Sequence, residues 1–237
     1  MKLSKFDEKY VRLRDIYGGT HTGIADHYDA GYCFHEFGEE EEAVIIEGFL
    51  IYASQIASIE EIEPHGCVEL RTEQLILRRY RPEDVEDLHH YVGKDLEIAR
   101  YTGWNPVVTA EMTRETVARF IEGYSDERFY AWVMDWEDVI VGTIGVYDCK
   151  DGGIEVGFSV VDGWRCRGFA TAVLSKVLGY LTKNEGIPCV TARCAAENAA
   201  ARRVLEKAGM REVRTEKGAL VIGEKAYDTL VFEYTAR

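Results

Sequence analysis

Residues 164–171 read Trp-Arg-Cys-Arg-Gly-Phe-Ala-Thr and lie between a predicted strand and a predicted helix, Phe169–Lys183. A small-residue turn that enters a helix leaves backbone N–H groups without intrahelical partners, and the helix dipole adds positive potential there. Gly168 has no Cβ, so the backbone can approach a ligand closely. Arg165 and Arg167 add positive charge beside the turn. This combination suits a pyrophosphate, and a tight turn with a surface arginine pair fits the same residues.

The segments on both sides of this turn alternate between strands and helices. Apolar runs predict a strand that begins at 75–77 and further strands at 129–136, 139–147, 154–161, 189–194, 210–215 and 227–234. Helical spacing and capping residues predict helices at 81–91, 110–123, 169–183 and 198–208. The third of these helices has one apolar stripe, which comprises Ala170, Leu174, Val177, Leu178 and Leu181. The order predicts an α/β (α+β) fold with a mixed sheet flanked by helices.

The turn and its neighbours resemble the GNAT superfamily of N-acetyltransferases. The acyl-CoA-binding segment of that family reads Arg/Gln-x-x-Gly-x-Gly/Ala, and residues 165–170 fit it without a gap. Asn198 matches the asparagine that opens the next helix. Residues 207–210, Lys-Ala-Gly-Met, match the end of that helix, with Met210 in place of an aromatic residue. The resemblance covers about residues 69 to 237 and implies a GNAT-like fold, acetyl-CoA as cosubstrate and no metal.

Three short stretches are similar to the ribosomal-protein N-terminal acetyltransferases within that superfamily. They are residues 72–78 at the opening strand, 155–158 in the strand before the turn and 227–230 in the last strand. The same subgroup includes enzymes that act on small amines. The resemblance therefore implies transfer to a primary amine, and it leaves open whether the acceptor is a small amine or a protein N-terminus.

The resemblance also implies which residues bind the cofactor. A strand that parts from its neighbour presents backbone N–H groups to the pantetheine, and the glycine turn holds the pyrophosphate. The residues that match these positions are Ser159, Val160, Val161, Arg165, Arg167, Gly168, Phe169, Ala170, Thr171 and Asn198. Asn198 is equally suited to cap the helix that follows it.

Glu155 is the candidate general base. Strand alternation places Glu155, Gly157 and Ser159 on one face, where a carboxylate beside the cofactor cleft can accept a proton through a water. The alternative is that Glu155 pairs with a neighbouring arginine. The family's usual proton donors are absent, because Leu205 and Ala201 occupy the positions of the common tyrosine and serine. Tyr227 is the candidate substitute, although tyrosine also packs well in strands.

The acceptor side is predicted from aromatic residues and charge. Tyr101 and Trp104 follow the first predicted helix and can enclose a cationic amine, or pack in the core. The formal net charge of −14 favours cationic acceptors and disfavours nucleic acid. The sequence contains no membrane-spanning apolar stretch and opens without a signal-peptide core, so we expect a cytoplasmic protein. Its six cysteines are expected to be free thiols, and a homodimer remains open.

The first 66 residues differ in character from residues 67–237. Short apolar runs and the Gly18-Gly19 turn predict strands across 10–62 without a long helix, followed by a linker at 63–66. This segment resembles a small all-β barrel of the Sm-like or SH3-like type. The spacing of His21, His27, Cys33 and His35 fits no familiar zinc pattern.

Two functions of other classes remain open for the whole chain. One is a non-catalytic acyl-CoA sensor whose N-terminal segment transmits the signal. In the other, the N-terminal barrel binds a peptide or RNA and brings the transferase to it.

Overall fold

The computed structural model describes residues 2–102, 109–150, 153–222 and 225–236. The chain divides into two compact units, Met1–Pro64 and His65–Arg237. Within the described part of the chain, every helix is too short or too polar to span a lipid bilayer.

The first unit is an antiparallel sheet with one helix. Its elements are β1 (Tyr10–Asp15), β2 (Thr20–Tyr28), α1 (Ala30–Phe37), β3 (Ala43–Ile46), β4 (Phe49–Tyr52) and β5 (Ile56–Glu61). The strand order is β4-β3-β2-β1-β5. Fully buried apolar side chains, among them Leu3, Val11, Leu13 and Ile46, form its core. The strands match the expected β character of this segment, and closure into a barrel stays a prediction.

Helix α1 was not predicted and makes the unit more than an all-β one. Its N-terminus is capped by Asp29, whose carboxylate accepts a hydrogen bond from the Tyr32 N–H at 2.8 Å. It ends at Gly38, which has a φ of 78°. Cys33 is the buried residue of this helix. Because α1 buries so little apolar surface, its capping interactions define it more than hydrophobic packing does. Hydrophobic periodicity therefore did not predict this helix.

Two histidines of the first unit, His21 and His27, pair with carboxylates. His21 Nε2 lies 2.9 Å from Asp15 Oδ2, and His27 Nε2 lies 2.9 Å from Glu42 Oε2. Among all described residues, no three His, Cys, Asp or Glu side chains come together as metal ligands would.

The second unit is a mixed eight-stranded sheet with helices packed on it. Its strands are β6 (Leu70–Arg71), β7 (Ile76–Arg78), β8 (Ala131–Trp136), β9 (Val139–Lys150), β10 (Gly153–Val160), β11 (Val190–Ala195), β12 (Arg211–Ile222) and β13 (Lys225–Tyr234). Its helices are α2 (Val85–Asp87), α3 (Leu96–Thr102), α4 (Ala110–Gly123), α5 (Phe169–Lys183) and α6 (Ala199–Lys207). The strand order β12-β13-β11-β10-β9-β8-β7-β6 confirms the predicted mixed sheet.

Helix α5 has the predicted bounds and buries four of the five residues of the predicted stripe. Leu174, Val177, Leu178 and Leu181 are fully buried, as is Val173, whereas Ala170 is half-buried. The helix packs on β6, β10 and β11. Burying such a side chain contributes about 1.5–3 kcal/mol. This helix therefore anchors the turn that precedes it to the centre of the sheet.

Two helical regions differ from the prediction. The expected helix at 81–91 is a 3-10 turn at Pro82–Asp84, the single turn α2, and a π-helical segment at Leu88–Val92. Helix α3 was not predicted. The Asp95 carboxylate accepts a hydrogen bond from the Ile98 N–H at 3.1 Å at its start, a local cap that outweighs its weak apolar pattern.

Candidate active site

Strands β10 and β11 begin as parallel neighbours and then part. They pair through Ile154 with Val190 and Glu155 with Thr191, the only two pairs recorded between them in the described structure. Beyond Glu155, β10 stays paired with β9 as far as Val160, and β11 stays paired with β13. The β9–β10 register shifts by one residue at the same point, and such a bulge bends a strand. The predicted separation of strands is therefore present.

The gap opens into a cavity of about 450 Å³. Seven helices and strands of the second unit line it, namely β9, β10, β11, α3, α6, β12 and β13, together with the π-helical segment Leu88–Val92. The lining residues include Tyr101, Thr143, Glu155, Ser159, Arg193, Cys194, Asn198, Ala201, Leu205, Glu216 and Thr229.

At the end of β10, one edge of the strand pairs with β9 and the other edge borders the gap. Val161 donates its N–H to the carbonyl of Val141 at 2.9 Å, so that group is not open to a pantetheine. Antiparallel pairing alternates these directions, so the N–H of Val160 points the other way. The Val160 carbonyl also points away from β9, because it accepts a hydrogen bond from Arg165 Nε at 3.0 Å. Of the three predicted backbone N–H donors to the pantetheine, Val160 is the one whose N–H points into the gap.

The glycine turn has the geometry of an anion site. Gly168 is the N-cap residue of α5, has a φ of 87° and provides no side-chain cap. The first helical bond runs from the Ala172 N–H to the Gly168 carbonyl at 3.1 Å. The N–H groups of Phe169, Ala170 and Thr171 therefore precede the hydrogen-bond ladder, where the helix dipole is positive. A Cβ at Gly168 would meet no described atom within 4 Å, so the space above the turn is open.

The two arginines of the turn have different surroundings. Arg165 donates Nη2 to Asp95 and lies 3.3 Å from Asp162 Oδ1 through Nη1, so two carboxylates balance its charge. The predicted role of Arg165 as a positive charge for the pyrophosphate is therefore not supported by its contacts. Arg167 is exposed, with its guanidinium 4.5 Å from the centre of the Trp164 ring, and keeps its charge available.

Asp95 connects the turn to helix α3, which lines the cavity. Its side chain is 6% exposed. One oxygen accepts the Ile98 N–H, and the other accepts the Asp162 N–H at 3.2 Å and the Arg165 guanidinium. Asp95 was not predicted as a site residue, although an Asp three positions before an apolar residue is a recognisable helix-capping signal.

Glu155 lies in the cavity and has an arginine partner. Its Oε2 atom is 2.9 Å from Arg193 Nη1, and its side chain is 21% exposed. Arg193 Nε in turn lies 3.8 Å from Glu216 Oε2. Sequence analysis named the carboxylate and an unspecified arginine, but not Arg193 or Glu216. No local signal identifies them, because they come from strands far along the chain.

Helix α6 gives the cavity an apolar wall. Asn198 caps this helix, since its Oδ1 accepts the Ala201 N–H at 3.0 Å, and it also lines the cavity. The predicted N-cap role of Asn198 is therefore confirmed, and its contact with the cofactor stays a prediction. Ala201 and the fully buried Leu205 line the same wall without a hydroxyl.

Tyr101 and Tyr227 lie side by side, but only Tyr101 is part of the cavity lining. Their rings are 6.3 Å apart in an edge-to-face arrangement. Tyr227 is buried, with the Lys225 ammonium 4.2 Å from its ring centre. Trp104, the other predicted acceptor residue, lies outside the described residues.

A wide bulge in β12 shapes the far wall. Glu216 pairs with Thr229 and Leu220 with Tyr227, so three residues of β12 lie opposite Asp228 alone. Asp228 holds them by accepting the Gly218 N–H at 3.0 Å and the Lys217 ammonium at 2.6 Å. The hydrogen bond from Lys217 and that from the Gly218 N–H lower the pKa of Asp228.

Cys194 is the one thiol among the described lining residues of the cavity. Burial raises the pKa of Cys194 to about 11, so it is protonated at neutral pH. A protonated thiol is a poor nucleophile. Cys194 is therefore a poor candidate for a nucleophile.

Comparison with known proteins agrees with this geometry. The family model of the acetyltransferase (GNAT) domain matches residues 74–211. The chain is 29% identical over 168 residues to the protein called uncharacterized N-acetyltransferase YoaA of Bacillus subtilis (strain 168). That alignment covers 69% of this chain and 94% of YoaA.

Solved structures share the fold of the second unit. A GNAT-family acetyltransferase from Bacillus anthracis superposes with a TM-score of 0.63 at 23% identity, covering 71% of this chain and 98% of its own. RimL, the ribosomal L7/L12 alpha-N-protein acetyltransferase in complex with coenzyme A, superposes with a TM-score of 0.64 at 17% identity. It covers 74% of this chain and 98% of its own.

Proposed function

Because the chain belongs to the GNAT acetyltransferase family, we propose that it transfers the acetyl group of acetyl-CoA to a primary amine, which attacks the thioester directly in a ternary complex. The observation that carries the proposal is the parting of β10 and β11 into a cavity with the Glu155 carboxylate in its wall. The acceptor is a small amine or a protein N-terminus.

The cofactor end of this site consists of the glycine turn and the free edge of β10. The N–H groups of residues 169–171 and the Arg167 guanidinium suit a pyrophosphate. The Val160 N–H faces the gap between β10 and β11, in which a pantetheine fits. Bound acetyl-CoA supplies an activated acyl group. Arg165 contributes indirectly, because it fixes the end of β10 through the Val160 carbonyl.

Glu155 is the proposed proton acceptor. An amine arrives as an ammonium ion and must lose a proton before its lone pair can attack the carbonyl carbon. Glu155 takes that proton through a water, and the neutral amine forms the new C–N bond. The nitrogen, now positively charged, loses its second proton to water as the C–S bond breaks and releases a thiolate. The ion pair with Arg193 orients the carboxylate.

The thiolate leaves without a dedicated acid from helix α6. Ala201 and Leu205 have no ionisable group to offer. Tyr227, our candidate acid, is buried and is not part of the cavity lining, so it is poorly placed to give a proton to a thiolate in the cavity. We therefore favour release of the thiolate to solvent.

The charge of the cavity supports a cationic acceptor. Two carboxylates, Glu155 and Glu216, flank the single guanidinium of Arg193, and the whole chain has a net charge of −14. Such a field attracts ammonium groups. The name of RimL, an alpha-N-protein acetyltransferase of ribosomal L7/L12, supports a protein N-terminus as one form of acceptor.

Calorimetric titration of acetyl-CoA tests the cofactor site. Gly168→Asp places a negative charge where we place the pyrophosphate, and Gly168→Asn is its neutral match. Asn and Asp both tolerate a positive φ better than other side chains, so the two variants share the same backbone strain. We expect wild type and Gly168→Asn to bind acetyl-CoA and Gly168→Asp to lose binding at an equal Tm. Absence of binding by the wild type would contradict the proposed function.

The apolar wall of α6 also favours a second function, that of an acyl-CoA sensor without catalysis. Ala201 and Leu205 remove the usual hydroxyls from the place where the thiol leaves. Turnover of acetyl-CoA with putrescine and with the peptide Ala-Ala-Ala separates the two functions. Acetylated product supports the enzyme, and tight acetyl-CoA binding without product from either amine supports the sensor.

A further inference from the structure

Thr229 has a buried hydroxyl that the protein itself does not satisfy. The residue is 4% exposed and lies in the cavity lining. Its Oγ1 atom makes no hydrogen bond with any atom of the described residues, and it is the single buried side-chain polar atom there of which this is true. A buried hydroxyl without a partner costs about 1–3 kcal/mol. Such groups are rare and point to a ligand that completes them.

The register of the sheet places this hydroxyl beside the charged residues of the cavity. Thr229 lies directly opposite Ala195 on β11 and Glu216 on β12. Residues opposite each other in neighbouring strands share one face of the sheet, as do residues two positions apart. Arg193 is two positions from Ala195, so Arg193, Thr229 and Glu216 share a face. The guanidinium of Arg193 approaches Glu216 across β13, the strand that contains Thr229.

The same topology separates Thr229 from the cofactor end. The gap that receives the pantetheine lies between β10 and β11, whereas β13 lies on the far side of β11. Tyr101 from α3 and Ala219 and Leu220 from β12 also line the cavity. A molecule that satisfies Thr229 therefore enters beside acetyl-CoA rather than as part of it.

We propose that Thr229 is an acceptor-binding residue, whose hydroxyl oxygen accepts a hydrogen bond from an N–H of the primary amine. The inference rests on the proposed function. An ammonium group near Glu155 and Glu216 has three N–H bonds, and one of them reaches Thr229 Oγ1. After Glu155 has taken a proton, the hydrogen bond to Thr229 holds the amine so that its lone pair is directed at the thioester. The residue positions the nucleophile and exchanges no proton itself.

Thr229→Val tests this role, and Thr229→Ser is the matched control. Valine has the same shape and strand preference as threonine but no hydroxyl, whereas serine keeps the hydroxyl and loses a methyl group. Because the hydroxyl has no protein partner, Thr229→Val is expected to have a Tm equal to or above that of the wild type. A hydroxyl with a structural role would give the opposite result.

Kinetics with putrescine and Ala-Ala-Ala then locate the ligand. We expect Thr229→Val to raise the KM of the amine about tenfold, with the Kd of acetyl-CoA unchanged, and Thr229→Ser to stay near wild type. An unchanged amine KM in Thr229→Val, a lowered Tm, or a loss of acetyl-CoA affinity would each overturn the proposal. A wild type that binds acetyl-CoA but acetylates neither amine would reject the proposed function, and this inference with it.

Discussion

Arg193 Nη1 lies 2.9 Å from Glu155 Oε2, so the candidate base of the cavity is ion-paired with a cation from the neighbouring strand. Both side chains keep some exposure to solvent, 42% for Arg193 and 21% for Glu155. A partly exposed ion pair contributes little to stability. Its position where β10 and β11 begin to part suggests that it orients the carboxylate rather than holds the sheet together.

Substitution of Glu155 distinguishes a catalytic role of this ion pair from a structural one. We expect Glu155→Gln to lower kcat by about 10²–10⁴-fold, the usual contribution of a general base, with acetyl-CoA affinity and Tm close to wild type. Arg193→Met keeps the base but removes the ion pair that orients it, so we expect a smaller loss of kcat. Glu206→Gln, which breaks the exposed pair with Arg202 on α6, is the control. Equal activity of Glu155→Gln and wild type would remove Glu155 from the mechanism.

The contact between Asp95 and Arg165 predicts a different kind of defect. Arg165→Met leaves the buried Asp95 carboxylate without its cation and should destabilise the fold by about 3–5 kcal/mol. Asp95→Asn keeps the oxygen that caps α3 and should cost about 1–3 kcal/mol. Asp162 also contacts Arg165 but is 87% exposed, so Asp162→Asn should change stability by less than about 0.5 kcal/mol. Urea denaturation measures all three. Equal stability of Arg165→Met and Asp162→Asn would show that Asp95 does not need its partner.

The bulge held by Asp228 predicts a pH-dependent stability. The pKa of Asp228 lies below its ordinary value of 3.8 because it accepts hydrogen bonds from Lys217 and the Gly218 N–H. A carboxyl group whose pKa is lower in the folded state stabilises the fold above its unfolded pKa, and this contribution is lost as pH falls through the folded value. We therefore expect wild type to be more stable than Asp228→Asn at about pH 6, with the difference shrinking below about pH 3.8.

Urea denaturation at several pH values checks this prediction. Asp126→Asn provides an exposed carboxylate outside the bulge as the control. A difference between wild type and Asp228→Asn that stays constant down to the acid transition would mean that the charge of Asp228 does not hold the bulge.

The sequence predicted the parts of this molecule that depend on local pattern. The bounds of α5 and the N-cap position of Asn198 follow from periodicity and capping. Periodicity and capping do not predict the carboxylate partner of Arg165 or the arginine partner of Glu155. These partners lie 70 and 38 positions away along the chain, respectively. Side chains that meet only after the sheet has assembled leave no spacing to detect. The unsatisfied hydroxyl of Thr229 could likewise be found only from packing.

Two glycines of the second unit predict opposite effects of the same substitution. A Cβ at Gly142 would lie 2.2 Å from the Ser159 carbonyl oxygen and 3.0 Å from Met134 Sδ, whereas one at Gly179 in α5 would meet no described atom within 4 Å. Gly142→Ala therefore has to push β9 away from β10, the strand that forms the cavity edge, and should destabilise by roughly 1–3 kcal/mol or more. Gly179→Ala should stabilise by about 1 kcal/mol, because alanine is the better helix former. Thermal unfolding checks both, and acetyl-CoA titration should show weakened binding only for Gly142→Ala. A Gly142→Ala variant as stable as wild type would mean that the two strands are packed less closely than this contact requires.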